Sequence, residues 1–296
     1  MDANELRQQL RPRAGGPLPK DDHIKHPLVK AYPWGYRQWY RRIERSSLQA
    51  LMGSARSRDH QLALKVANCS PTQQCGEVTL CWWCKVRASL TEGEAIVQFF
   101  ETKIKRDRFS AVTIILACIP YEERHTLRTR LRQIRKRLEW AFRLWPRSQW
   151  YGRFELDLLT GHRNQELGSY AEKTLKDMGY APQSAPECVL VHAHLVIYHP
   201  RISRDAVRSD LHHWYSACRQ VKVTSLRDEQ TTEEALTRFG SYIVKFKPPT
   251  FALYGRGSRT FRPRHPDVVR QYVRLQRRVR HENLLIQGRA GYQKDE

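Results

Sequence analysis

The order of apolar and polar segments predicts an α+β fold, a mainly antiparallel sheet with helices packed on one face, on a split βαβ or ferredoxin-like plan. One observation is the succession of elements. A strand in "FSAVTIILACIP" is followed by a helix in "YEERHTLRTRLRQIRKRLEWAFRLW" and by two strands, "WYGRFELDLL" and "ECVLVHAHLVIYHP". A helix in "SRDAVRSDLHHWYSACRQ", a short strand in "VKVTSL" and a last helix in "TTEEALTRFGSYIVKF" complete it. The second observation is that no helix is expected between the two middle strands, which makes them antiparallel neighbours. The third is the strict alternation within those strands, which gives each one apolar and one polar face.

The flanks read differently. Residues 1–58 form a basic arm containing "HPLVKAYPWGYRQWYRRIERS", and residues 59–100 a cysteine-bearing segment with a linking helix in "SLTEGEAIVQFFETKIKR", capped by Thr91. The sheet domain is expected over residues 101–250, with an excursion between His162 and Pro186. Residues 251–296 read as a basic helical tail: the linker "YGRGSRTFRPRHP", then an Arg-studded helix over Pro266 to Leu285.

Charge narrows the partner. With 52 Lys and Arg against 30 Asp and Glu, the net charge of +22 calls for a polyanion, nucleic acid first. A membrane is not expected, because the longest apolar run, "AVTIILACI", is too short to span a bilayer. The N-terminus has no apolar signal core, so a cytoplasmic location is expected.

Cys69, Cys75, Cys81 and Cys84 lie within "NCSPTQQCGEVTLCWWCK", a density that suits structural Zn²⁺ better than free thiols or a redox pair. His60 is an alternative upstream ligand. Cys118, Cys188 and Cys218 read as core thiols.

On "VHAHLVIY", His192 and His194 point the same way, and on "GRFELDLL" so do Glu155 and Asp157. If the strands are neighbours, two imidazoles and one of these carboxylates meet on one face, a donor set for a divalent ion that grips phosphate oxygen. Taken alone, each pair is equally a set of ordinary solvated side chains. Tyr242 and Lys245 of "YIVK" share a helix face; a tyrosine beside a cation can serve as a phosphodiester nucleophile, although Tyr-x-x-Lys alone describes any amphipathic helix. The helix from Arg124 to Arg147 has a core stripe of Leu127, Leu131, Ile134, Leu138, Ala141 and Phe142. Its arginines, with Trp140 and Trp145, are either a solvated face or a DNA-tracking surface.

As an ordered set, "LCWWCKVR", "GRFELDL", "VHAHLVIY" and "YIVK" on so basic a chain resemble the HUH endonuclease superfamily, in particular the rolling-circle replication initiators (Rep proteins) of bacterial plasmids. The resemblance covers about residues 69–250 and matches the His-hydrophobic-His signature at His192-Ala193-His194. It implies a five-stranded sheet, His192, His194 and Glu155 as ligands of Mg²⁺ or Mn²⁺, Tyr242 as nucleophile and Lys245 as its activating or positioning cation. It also implies DNA contacts from Arg87, Arg153 and Arg238, with Arg87 completing a Cys-x-x-Cys-x-x-Arg element. The implied activity is nicking of single-stranded DNA at an origin hairpin, through a 5′-phosphotyrosine link that frees a 3′-hydroxyl primer. No P-loop is present, so a helicase partner and a host polymerase are implied, in a bacterial cytoplasm. Two positions depart from the pattern: Val196 stands where many relatives have a third histidine, and Arg238 where some carry a glutamate. A single-strand transposase of the same chemistry, or a non-catalytic zinc-bearing regulator, would share most of these features.

Overall fold

The computed structural model describes residues Asp2, Glu5, 34–70, 72–100, 106–159, 169–180, 187–226, 231–244, 250–255, 258–263 and 266–290. In chain order its elements are α1 (Trp34–Met52), α2 (Ser57–Ala67), α3 (Trp82–Phe100), β1 (Phe109–Pro120), α4 (Leu127–Arg143) and β2 (Gln149–Leu159). There follow α5 (Ser169–Asp177), β3 (Cys188–Tyr198), α6 (Arg204–Trp214), β4 (Val221–Ser225), α7 (Thr232–Ile243), β5 (Thr250–Gly255), β6 (Ser258–Pro263), α8 (Pro266–Val279) and β7 (Leu285–Arg289). Among the described residues no helix is long and apolar enough to cross a membrane. Contacts divide the chain into two compact units, Met1–Ala88 with Phe246–Arg274, and Ser89–Lys245 with Leu275–Glu296.

In the first unit Leu48, Leu51, Leu62, Val66 and Leu80 form a core with Val269 and Val273 of α8. Asp59 is buried under it, accepting from Ser54 Oγ at 2.6 Å and Arg274 Nη2 at 2.5 Å. Part of the expected arm is therefore a helix, because Ile43, Ser47, Leu48 and Leu51 fall on one stripe and are buried. Helix α3 starts well before Thr91. Glu44 Oε1 accepts from the Trp82 backbone N–H at 3.0 Å, supplying the N-terminal partner that was expected of Thr91. The expected linker contains the antiparallel hairpin β5–β6, with Gly255 paired to Ser258.

The second unit holds an antiparallel five-stranded sheet in the order β4-β1-β3-β2-β7. The first four strands follow the split βαβ order that the element succession implies. The fifth, β7, belongs to the segment read as a helical tail; it pairs with the β2 edge from Gln149 to Arg153. The excursion before β3 carries α5. Helix α7 begins at a capping box, in which Thr231 Oγ1 accepts from Glu234 N and Glu234 accepts from Thr231 N.

Helices cover both faces of the sheet, not one. On the face of Trp150 and Phe154 lies α4, its Phe142 ring 5.4 Å from Trp150 and its Arg135 guanidinium 5.9 Å from the Phe154 centroid. The other face carries Phe109, Tyr151, Val196 and Tyr198 at one end, an apolar group too large to leave in water, and α3 and α7 bury it with Ile96, Phe100, Leu236 and Ile243. Cys118 and Cys188, expected as separate core thiols, form a disulfide between neighbouring strands. Leu159, Leu175 and Leu190 pack around that end, with Tyr180 against them.

His199 closes β3 and is 1% exposed, its Nδ1 3.0 Å from the Ile202 carbonyl and its Nε2 2.8 Å from Ser110 Oγ. Burial holds its pKa below the ordinary histidine range. A depressed folded-state pKa means that the unfolded chain takes up the proton first as pH falls. This contribution is thus complete above about pH 6.5 and is lost progressively below it. Urea unfolding midpoints should fall between pH 7.5 and pH 5, less steeply in His199→Asn.

Candidate functional site

Register places the site before any side chain is considered. In the β2–β3 ladder Arg153 pairs with His194 and Glu155 with His192, while on β1 Thr113 pairs with His194 and Ile115 with His192. Directly paired residues project to the same side of a sheet, so these side chains share one face. The apolar cluster under α3 and α7 closes one end of that face, and the cluster around Cys188 and Leu175 closes the other. A polar gap lies between them.

Within the gap His194 Nε2 is 2.6 Å from Glu155 Oε2, and His192 Nε2 is 3.8 Å from Asp157 Oδ2. The carboxylates are therefore reached on the diagonal, and both acids of "GRFELDLL" enter the site, Glu155 with His194 and Asp157 with His192. The imidazole centroids stand 6.3 Å apart. His194 Nδ1 lies 3.1 Å from Thr113 Oγ1, an orientation that turns Nε2 into the gap. Two imidazoles and two carboxylates thus line the gap, with side chains 9–26% exposed.

Helix α7 brings Tyr242 to this gap. Its ring meets His194 edge-on, with centroids 5.5 Å apart and planes at 88°, and the residue stays 40% exposed. The approach depends on glycine. A Cβ on Gly240 would sit 2.7 Å from both Glu92 O and Gly93 Cα, so α7 can cross α3 at this height only without one. A Cβ on Gly152 would likewise lie 2.0 Å from His194 O, where β2 meets β3. Gly240→Ala should cost about 1–3 kcal/mol by overpacking and lift Tyr242 away from His194. Urea unfolding, together with the His194–Tyr242 ring-current shift by NMR, checks both effects.

Arg153 is not a surface residue. It is 7% exposed and its Nη2 donates to Glu92 Oε2 of α3 at 2.6 Å; Tyr151 Oη donates to Glu92 Oε1 at 2.8 Å. The expected DNA contact is replaced by a buried bridge that ties α3 to the site strand. Burial, with the Glu92 carboxylate beside it, pushes the Tyr151 phenol up, which removes Tyr151 as a source of phenolate. Arg238 and Arg87 are exposed, Arg238 one turn before Tyr242 on the same helix face. Lys245 lies outside the described residues. Trp140 of α4 is 67% exposed, but Trp145, just past its end, is 3% exposed, stacked on Phe142 and Trp214 and donating to Asp210 at 2.8 Å, so Trp145 is not open to a base.

Sequence reasoning missed Glu92, Gly93, Gly240 and Thr113. Only Thr113 carried a signal, as a polar residue within the apolar run "AVTIIL".

In the other unit the ligand atoms of Cys69, Cys75, Cys81 and Cys84 all lie within 4.8 Å of one another. Cys84 Sγ is 3.7 Å from Cys69 Sγ and 3.5 Å from Cys75 Sγ, close to the tetrahedron edge of about 3.8 Å that bonds of about 2.3 Å would give. Hydrogen bonds from the Cys75 and Cys81 thiols push the Cys84 thiol far down. Four cysteines thus cluster in a way that can hold a metal ion. His60 is not among them; its Nε2 is 2.6 Å from the Ser54 carbonyl. Compared with protein-family models, with curated proteins and with solved structures, the chain matches none of them.

Proposed function

We propose that this chain is a metal-dependent nickase of single-stranded DNA that works by transesterification through Tyr242, as an initiator of rolling-circle replication of the HUH kind. The observation that carries this reading is the half-exposed Tyr242 ring set edge-on against His194, which shares its gap with Glu155, His192 and Asp157. In the proposed step the Tyr242 Oη–P bond forms and the P–O3′ bond breaks. The phenol proton leaves, and the departing 3′ oxygen takes one up to become the primer hydroxyl. The products are a 5′-phosphotyrosine and a free 3′-OH, with no net hydrolysis.

His192, His194, Glu155 and Asp157 would hold Mg²⁺ or Mn²⁺, which when bound supplies Lewis-acid stabilisation of charge on the nonbridging oxygens. Thr113 fixes the His194 ring. Arg238, one turn before Tyr242, adds a cation where the backbone of an incoming strand would run. Glu92 and Arg153 hold α3, and Gly240 sets α7 at the height that keeps Tyr242 at the gap. The four cysteines suit structural Zn²⁺, far in chemistry from the oxygen-preferring site. An origin hairpin, a helicase and a host polymerase are the proposed partners.

His192→Ala tests the metal side of this reading. Cleavage of single-stranded hairpins should fall by at least about a hundredfold at low Mn²⁺ and recover in part at high Mn²⁺, because a weakened site can still be filled. Cleavage unaffected by His192→Ala and His194→Ala together would leave the histidines as structural residues, as in a non-catalytic zinc-bearing regulator.

A further inference from the structure

Helix α4 turns Leu127, Leu131, Leu138, Ala141 and Phe142 into the core. Its outward side is unusual for carrying two large apolar residues in water. Among the described residues the exposed large hydrophobics are Trp140 at 67%, Leu144 at 54% and Tyr242 at 40%, and the first two stand one turn apart on α4 and its C-cap. Lys136 and Arg137 lie one turn before Trp140, Arg143 one turn after it and Arg132 two turns before; all four are exposed. Glu139 is the one acid beside them on this helix and is only half-exposed. The inward side of α4 covers the sheet face of Trp150 and Phe154, so the strip lies on the side of the sheet opposite His192 and His194.

We infer that the strip from Arg132 to Leu144 is a second nucleic-acid site, which holds a single-stranded segment by stacking a base on Trp140, backed by Leu144, and by drawing the flanking phosphates to Arg132, Lys136, Arg137 and Arg143. The indole offers a face that tolerates any base, and the cations sit on both sides of it along the helix. At 1.5 Å per residue the strip is about 18 Å long, the span of a few nucleotides. Charge selects this occupant over the alternatives. A second copy meeting this patch symmetrically would set the same four cations against themselves. A membrane surface would need a broad apolar face, and that face of α4 is already spent on the core. The inference goes beyond the cleavage reading and does not depend on it, since binding here requires neither Tyr242 nor a divalent ion.

The test uses the full chain, without added divalent ion, and fluorescence anisotropy of labelled single strands of mixed sequence and of the matching duplex. Trp140→Ala should weaken single-strand binding by roughly 5- to 150-fold, the range for one stacked base, and Trp140→Phe should restore most of it. Duplex binding should change less. Lys136→Gln, Arg137→Gln and Arg143→Gln combined should flatten the log–log salt dependence by about 2, at about 0.7 per single-strand phosphate contact. Trp140 is exposed, so Trp140→Ala should keep the wild-type circular dichroism spectrum and melting temperature. Because no divalent ion is added and only binding is read, loss of affinity in Trp140→Ala is scored apart from cleavage, which separates this claim from the cleavage reading. Single-strand affinity unchanged in Trp140→Ala overturns the inference. So does a Trp140→Ala protein that binds DNA normally but has lost self-association in sedimentation or binding to anionic vesicles, which would make the strip a protein or lipid surface.

Discussion

Tyr242→Phe should abolish both nicking and the covalent protein–DNA adduct, a loss of at least about a thousandfold, while binding of single-stranded DNA persists. The change removes one oxygen. The ring can keep its edge-on contact with His194 and its contact with Phe239, whose centroid is 6.1 Å away. Two other phenols are poor substitutes: Tyr151 is buried on Glu92 with its pKa driven up, and burial also pushes Tyr215 up to about 12. Unlike His192→Ala, Tyr242→Phe should not recover at high Mn²⁺, because in the proposed step the missing atom is the nucleophile and not a ligand. Gel analysis of cleavage and adduct across a Mn²⁺ series separates the two variants.

The second large effect concerns the cysteine cluster. Cys75, Cys81 and Cys84 are 7%, 1% and 5% exposed and belong to the core of the first unit, beside Leu62, Val66 and Leu80. A zinc ion held there, as proposed, would neutralise thiolates that are otherwise buried without a cation. In small zinc domains the metal contributes on the order of 10 kcal/mol to folding. Cys84→Ser should therefore lose bound zinc and, with it, hydrogen-exchange protection over residues 57–88. The variant confines the effect to the cysteine cluster, which a chelator would not. Retention of full protection by a zinc-free Cys84→Ser protein would make the cluster a packing feature.

How far the sequence disclosed this arrangement follows from the range of the interactions. Alternation is a local property, so the shared face of His192 and His194, and that of Glu155 and Asp157, could be read directly from "VHAHLVIY" and "GRFELDLL". The capping box at Thr231 is equally local. Contacts across long separations left no trace: Arg153 was expected to contact DNA, while its partner Glu92 is 61 residues away. Cys118 and Cys188 looked like separate thiols because they lie 70 residues apart. The crossing of α3 and α7 at Gly93 and Gly240 is set by two backbones meeting, and a lone glycine within "TRFGSYIVK" only weakens a helix on paper. Strand β7 was hidden for a different reason. It is five residues long, sits at an edge and contains Gly288, so its pattern is too short to outweigh the Arg-rich helix before it.

The choice between Glu155 and Asp157 shows the same limit at finer scale. Alternation places both on one face but says nothing of diagonals, and it is the diagonal contacts, His194 to Glu155 and His192 to Asp157, that bring both into the gap. Neither carboxylate can be assigned as sole ligand from the strand pattern.

The most direct test of the central claim is to map the covalent product. The full chain is incubated with a library of single-stranded hairpins and Mn²⁺, denatured, digested with protease and nuclease, and analysed by mass spectrometry. The account predicts one modified peptide, with a nucleotide 5′-phosphate ester on Tyr242, absent from the Tyr242→Phe protein. A nucleotide attached at any other residue, or cleavage of the hairpins with no covalent peptide at all, would contradict it.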